Sequence, residues 1–284
     1  MNDGKLTIDL SGVGNDIPTK LGKSRPTLTA ALGDLAKYRY PVDTEGGIDL
    51  FNQAFAKYEE AVKIKPDSCE AWTNWGITLG DLATCRYSVD TEGYSADAEE
   101  VISLFNQAFA KYEAVVMIKP ESYEAWYNWG TDLGNLAEYR YTANAEEGVD
   151  LFNQAFAKYE EAVKIKPDSY EAWYNWGNAL GYLATCQYPA DAEEGISLFN
   201  QAFAKYEKAV KIKPDGYGAW YSWGTDLGNL AIYRYAADAE EGIDLFNQAF
   251  AKYEEAVKIK PDSYEAWYNW GILHRRKWGF LYRC

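Results

Sequence analysis

The sequence predicts an all-α solenoid of helical hairpins, and three observations carry that reading. The decapeptide LFNQAFAKYE returns unchanged at Leu50, Leu104, Leu151, Leu198 and Leu245, at intervals of 54, 47, 47 and 47 residues. A fixed period of this size marks a stacked-repeat architecture. Between the copies, apolar residues such as Ala172, Trp173, Trp176, Leu180 and Leu183 recur at helical spacing. Each copy closes on lysines and a proline, at Pro66, Pro120, Pro167, Pro214 and Pro261, which ends a helix.

Taken in order, residues 1–24 share nothing with the repeat and read as a frayed arm or one short strand. Residues 25–262 read as five A/B helix pairs, and residues 263–284 as an unpaired capping helix. Ser24 caps the first A helix, Pro26 stands in its first turn, and it runs to about Tyr40. In the clearest unit, Asp168 with Glu171 forms a capping box that opens helix A, which reaches about Tyr188. Pro189 breaks the chain. Asp191 with Glu194 then opens helix B, as do Asn144 with Glu147 and Asp238 with Glu241. Helix B carries Glu193 and Glu194 first and Lys208, Lys211 and Lys213 last, the order the helix dipole favours. The connection after Tyr87 is seven residues longer than its counterparts and predicts a local protrusion.

A net charge of −15 argues against nucleic acid or an anionic membrane surface as partner, because both select basic faces. Cys69, Cys85, Cys186 and Cys284 show neither CxxC spacing nor a histidine cluster, so no disulfide framework and no metal site is expected, and a reducing cytoplasm fits. The start MNDGKLTIDL has no signal-peptide pattern, and no run of about 18 apolar residues predicts a membrane span. Chemistry is sparse. With His274 the sole histidine and no recurring nucleophile, base and orienting acid, neither an enzyme nor a cofactor is expected.

Lined up on the proline, Trp173, Trp176, Gly177, Leu180, Ala202, Phe203, Tyr206, Ala209 and Pro214 resemble the tetratricopeptide repeat. The resemblance implies a right-handed superhelix in which Gly177 lets helices A and B touch. The family's period is about 34 residues, so the residues added here lengthen both helices at the turn that joins them. Long helix pairs also occur in the tetratricopeptide domain of the plant mitochondrial import receptor, which the WG-x-AL-x-x-L segment resembles.

The resemblance further implies that helix A lines a concave groove for an extended peptide or partner protein. The groove positions are Glu124, Tyr127, Asn128, Thr131 and Asn135 in one unit, Glu171, Tyr174, Asn175, Asn178 and Tyr182 in the next, and Tyr221, Thr225 and Asn229 in the third. None is basic, unlike the carboxylate-gripping grooves of co-chaperones. The asparagines look instead like the amide ladder in the groove of the O-GlcNAc transferase, although an amide can also satisfy itself locally.

The last copy departs after Gly271 into ILHRRKWGFLYRC. Arg275, Arg276, Lys277, Trp278, Phe280 and Tyr282 make a basic, aromatic end that predicts either a head-to-tail homo-oligomer or a tail folded back on the preceding B helix.

Overall fold

The computed structural model describes residues 28–90 and 98–281. These form eleven helices. Five hairpins follow one another: α1 (Leu28–Arg39) with α2 (Thr44–Ile64), α3 (Cys69–Asp90) with α4 (Ala98–Ile118), α5 (Tyr123–Tyr141) with α6 (Ala145–Ile165), α7 (Tyr170–Gln187) with α8 (Ala192–Ile212), and α9 (Tyr217–Tyr235) with α10 (Ala239–Ile259). The last helix, α11 (Tyr264–Leu281), packs on α9 and α10. The all-α solenoid expected from the repeat is what the chain forms. The odd-numbered helices touch one another along the array, whereas the even-numbered helices touch only odd-numbered ones. The odd helices therefore build the inner layer and the even helices the outer one.

The invariant decapeptide explains the outer layer. Its first Phe, second Ala and Tyr fall on one face of the helix, spaced three and four residues apart. In α8 these are Phe199, Ala202 and Tyr206, all buried, and the same triplet is buried in every copy. Sinking each Phe alone stabilises by roughly 1.5–3 kcal/mol. The decapeptide's lysine also belongs to the hairpin. Lys205 Nζ lies 3.5 Å from the Trp176 ring centroid, while Trp173 stacks on Trp176 at 5.7 Å and donates its Nε1–H to the Pro167 carbonyl at 2.8 Å. The four tryptophan pairs from Trp72 to Trp223 are thus joints between A and B, each clasped by a lysine.

Gly177 supplies the close approach that the resemblance implies. A Cβ there would come within 2.6 Å of the Tyr206 ring. At the opposite end of the hairpins, Arg140 pairs with Glu147 and Arg234 with Glu241, tying the end of A to the start of B.

Capping follows the sequence at the B helices: Asp191 accepts from the N–H groups of Glu193 and Glu194, Asn144 from Glu147 and Asp238 from Glu241. The A helices differ by one residue. The cap of α7 is Ser169, whose Oγ accepts from Ala172 N–H, and not Asp168. Ser169 wins because its hydroxyl also meets the Tyr123 hydroxyl at 2.6 Å, so one atom caps a helix and bridges two repeats. The expectations for residues 1–24, the Ser24 cap and the protruding connection fall outside the described residues.

No membrane span was expected, yet α4 is long and apolar enough to cross a membrane by length and composition. Its Val101, Phe105, Ala108, Tyr112 and Val115 are buried in the core. At the far end, α11 continues through Gly271 without a break. His274 stacks on Phe250 of α10 at 3.9 Å, and Lys277 donates to Asn247 Oδ1 at 2.6 Å. Arg275, Arg276 and Trp278 are exposed, and the side chains of Phe280 and Tyr282 lie outside the description.

Candidate functional site

Three inner helices bring side chains together where α5, α7 and α9 pass one another. They border an open cavity of about 390 Å³ lined by Glu138 of α5, Asn178, Gly181, Tyr182, Thr185 and Cys186 of α7, Tyr206 of α8, and Tyr221, Ser222, Thr225, Asp226 and Asn229 of α9. Of the groove positions read from the sequence, Asn178, Tyr182, Tyr221, Thr225 and Asn229 meet here. Glu124, Tyr127, Asn128, Thr131, Asn135, Glu171, Tyr174 and Asn175 lie on the same inner helices but do not line the cavity.

Several of those outlying polar groups are committed to the solenoid itself. Asn175 Nδ2 donates to the Tyr127 hydroxyl at 2.8 Å, and Asn269 Nδ2 to the Tyr221 hydroxyl at 2.6 Å, each binding one inner helix to the next. Asn128 Nδ2 turns back to the Glu124 carbonyl of its own helix at 2.7 Å. Asn229 is different. It lines the cavity, half-buried, and no hydrogen bond engages its amide among the described residues.

Sequence reasoning missed the two carboxyls buried between inner helices. Asp226, in the cavity, is only 8% exposed and accepts from the Tyr206 hydroxyl at 2.9 Å, beneath Gly181, where any side chain would collide with it. Asp132 occupies the matching place between α3 and α5, accepting from Tyr112 at 2.8 Å beneath Gly80. Burial pushes Asp132 up to about 8 and Asp226 up to about 7, partly offset by the tyrosine hydrogen bonds. Glu138 has no such bond, and burial alone pushes its carboxyl up to about 7.

These aspartates were findable. Asp132 and Asp226 stand two places after the first glycine of WGTDLGNLA, where the alternate units carry Ala179 or Thr78. From α3 to α9 the inner helices therefore alternate, with α5 and α9 alike. Four outer-layer tyrosines follow this alternation: Tyr112 and Tyr206 reach forward to the aspartates of the next hairpin, Tyr206 also lying 3.1 Å from Asn178 Oδ1 of its own, whereas the Tyr159 and Tyr253 hydroxyls meet only Thr131 and Thr225 of their own, at 3.3 and 3.0 Å.

Burial also raises the Tyr182 phenol to about 12 and pushes the Cys186 thiol up, so both are neutral near pH 7. Among the described residues, no three His, Cys, Asp or Glu side chains gather as a metal-ligand set. What the cavity offers chemically is hydrogen bonding from amides and hydroxyls, aromatic area, and carboxyl groups poised near neutral pH.

Comparison with known proteins agrees on the fold. Solved structures similar to this chain include TTC0263, a thermophilic tetratricopeptide-repeat protein of Thermus thermophilus, at 15% identity and a TM-score of 0.51, covering 86% of this chain and 98% of that one. MamA matches at 20% identity and a TM-score of 0.44 over 76% of this chain and 96% of its own. YrrB, described as a tetratricopeptide-repeat protein with an unusual peptide-binding site, matches at 17% identity and 0.44, over 84% and 89%. No curated protein matches. The family described as the plant-specific mitochondrial import receptor subunit TOM20 matches residues 99–222, from α4 into α9. That match is much longer than the short segment whose resemblance the sequence showed. It also corrects the cytoplasmic placement: the matched family is mitochondrial, and cysteine spacing reports redox conditions without distinguishing the cytoplasm from the cytoplasmic face of an organelle.

Proposed function

We propose that this chain, a solenoid of tetratricopeptide-repeat fold, is a non-enzymatic scaffold that holds an extended polypeptide along its inner layer, as a receptor for precursor polypeptides at the mitochondrial outer membrane. The observation that carries the groove is the cavity between α5, α7 and α9, where Asn178, Tyr221, Thr225 and Asn229 converge. Aromatic rings supply contact area there, and amides supply register against a peptide backbone. The half-buried, unengaged Asn229 amide is the group best placed to meet such a backbone. The family match over residues 99–222 covers α5, α7 and the first turn of α9, and it supports the import-receptor reading.

The test is retention of radiolabelled, unfolded mitochondrial precursor polypeptides on the immobilised chain. Asn229→Ala should weaken retention about tenfold and leave the far-ultraviolet circular dichroism unchanged. Equal retention by the variant and the parent would place the partner on another surface.

A further inference from the structure

We propose that the cavity receives one cationic side chain, a lysine or arginine of the bound polypeptide, and that Glu138 is the specificity-determining residue that pairs with it; this rests on the groove reading above. Helices α5 and α9 share the stretch WGTDLGNLA and the following YRY, and between these stand Glu138 in one and Ile232 in the other. An isoleucine therefore serves the fold at this position, and the carboxyl is not required for packing. Keeping a carboxyl there has a cost, because an unpaired charge leaving water loses its solvation.

Among the described residues, nothing compensates Glu138: it has no hydrogen bond and no ion pair. The titratable groups within electrostatic reach are Tyr87 of α3, Tyr159 of α6, and Tyr182 and Cys186 of α7, none of them a cation. Asp226, in the same cavity, is already engaged by Tyr206. Glu138 is thus the free carboxyl of a cavity with no basic lining residue. At about 390 Å³ the space is more than ten times one water's share of about 30 Å³, ample for a guanidinium or ammonium group. A guest cation would ionise Glu138 and meet the acceptor atoms of Asn178, Thr225 and Asn229, and the net charge of −15 draws cations towards the surface.

The test compares two otherwise uncharged peptides, identical except for a central arginine or its neutral near-isostere citrulline, by tryptophan fluorescence at about pH 8 and about pH 5.5, either side of the range in which Glu138 titrates. At the higher pH the arginine peptide should bind about five- to thirtyfold more tightly. The preference should collapse at the lower pH, where Glu138 is protonated, and should vanish in Glu138→Gln and in Glu138→Ile, the latter borrowing the residue that α9 already tolerates. Equal binding of both peptides, or an arginine preference that survives these substitutions, overturns the inference while leaving the groove reading intact. Binding of neither peptide at millimolar concentration also overturns it, and the groove then stands or falls on precursor retention alone.

Discussion

Helices α5 and α9 are copies of one another, and their three differences divide cleanly from what they share. Every buried position is the same: Ala125, Asp132, Leu133, Leu136 and Ala137 in α5 match Ala219, Asp226, Leu227, Leu230 and Ala231 in α9. The differences are Glu124 against Gly218, Asn128 against Ser222, and Glu138 against Ile232, and none of these is fully buried. Packing between layers is selected once and then copied, because a close-packed interior tolerates few changes of volume. The positions facing the groove or the neighbouring inner helix are released from that constraint, and recognition can diverge there without disturbing the array.

The largest effect that would sharpen this comparison is the pH dependence of the two buried aspartates. Their carboxyls titrate at about 8 and about 7 in the fold, against about 3.9 in an unfolded chain, so the fold favours the protonated form. The stability they contribute is full below the unfolded value and is lost as pH rises through about 7 for Asp226 and about 8 for Asp132. Asp132→Asn and Asp226→Asn keep an acceptor for Tyr112 and Tyr206 but cannot ionise. Each should change stability little below about pH 4 and stabilise the chain increasingly above it, by at least about 1 kcal/mol above pH 8, with Asp132→Asn acting to the higher pH. Thermal unfolding across that range is the measurement, and flat profiles for the parent would break the assignment.

A smaller effect separates sister glycines. A Cβ at Gly181 would overlap Asp226, whereas one at Gly134 meets nothing within 4 Å, because α7 carries Ala179 where α9 carries the aspartate. Gly181→Ala should cost about 1–3 kcal/mol, and Gly134→Ala should gain up to about 1 kcal/mol from helix propensity. Urea unfolding of the two variants reads the difference directly, and the same sign for both would contradict the alternation.

The smallest effect is at the caps. Helix α9 has Gly216 at its N-cap, which offers no side chain, yet Ala219 N–H is met at 3.0 Å by the Tyr170 hydroxyl of the preceding inner helix. Ser169→Gly should cost a few tenths to about 1 kcal/mol. Gly216→Ser should bring no gain, since its Cβ would run into the Tyr170 ring. A rise in melting temperature for Gly216→Ser would show that the tyrosine is not an adequate cap.

The sequence by itself determined the solenoid. Period, capping residues and the Phe, Ala and Tyr spacing of the decapeptide are local or arithmetic properties, legible wherever a unit is copied faithfully, and the B-helix caps at Asn144, Asp191 and Asp238 follow from them. The same reading missed what one helix does to the next. It put the α7 cap at Asp168 because the bridge from Tyr123 to Ser169 spans two repeats, and it counted Asn175 towards the groove although Tyr127 had already engaged it. It passed over Asp132, Asp226 and Glu138, because a carboxyl on a helix reads as solvated until a neighbouring helix removes the water. Only the tertiary structure decided which polar groups were committed to the array and which remained free, since that depends on contacts between residues far apart in the chain, for which a single sequence carries no pattern.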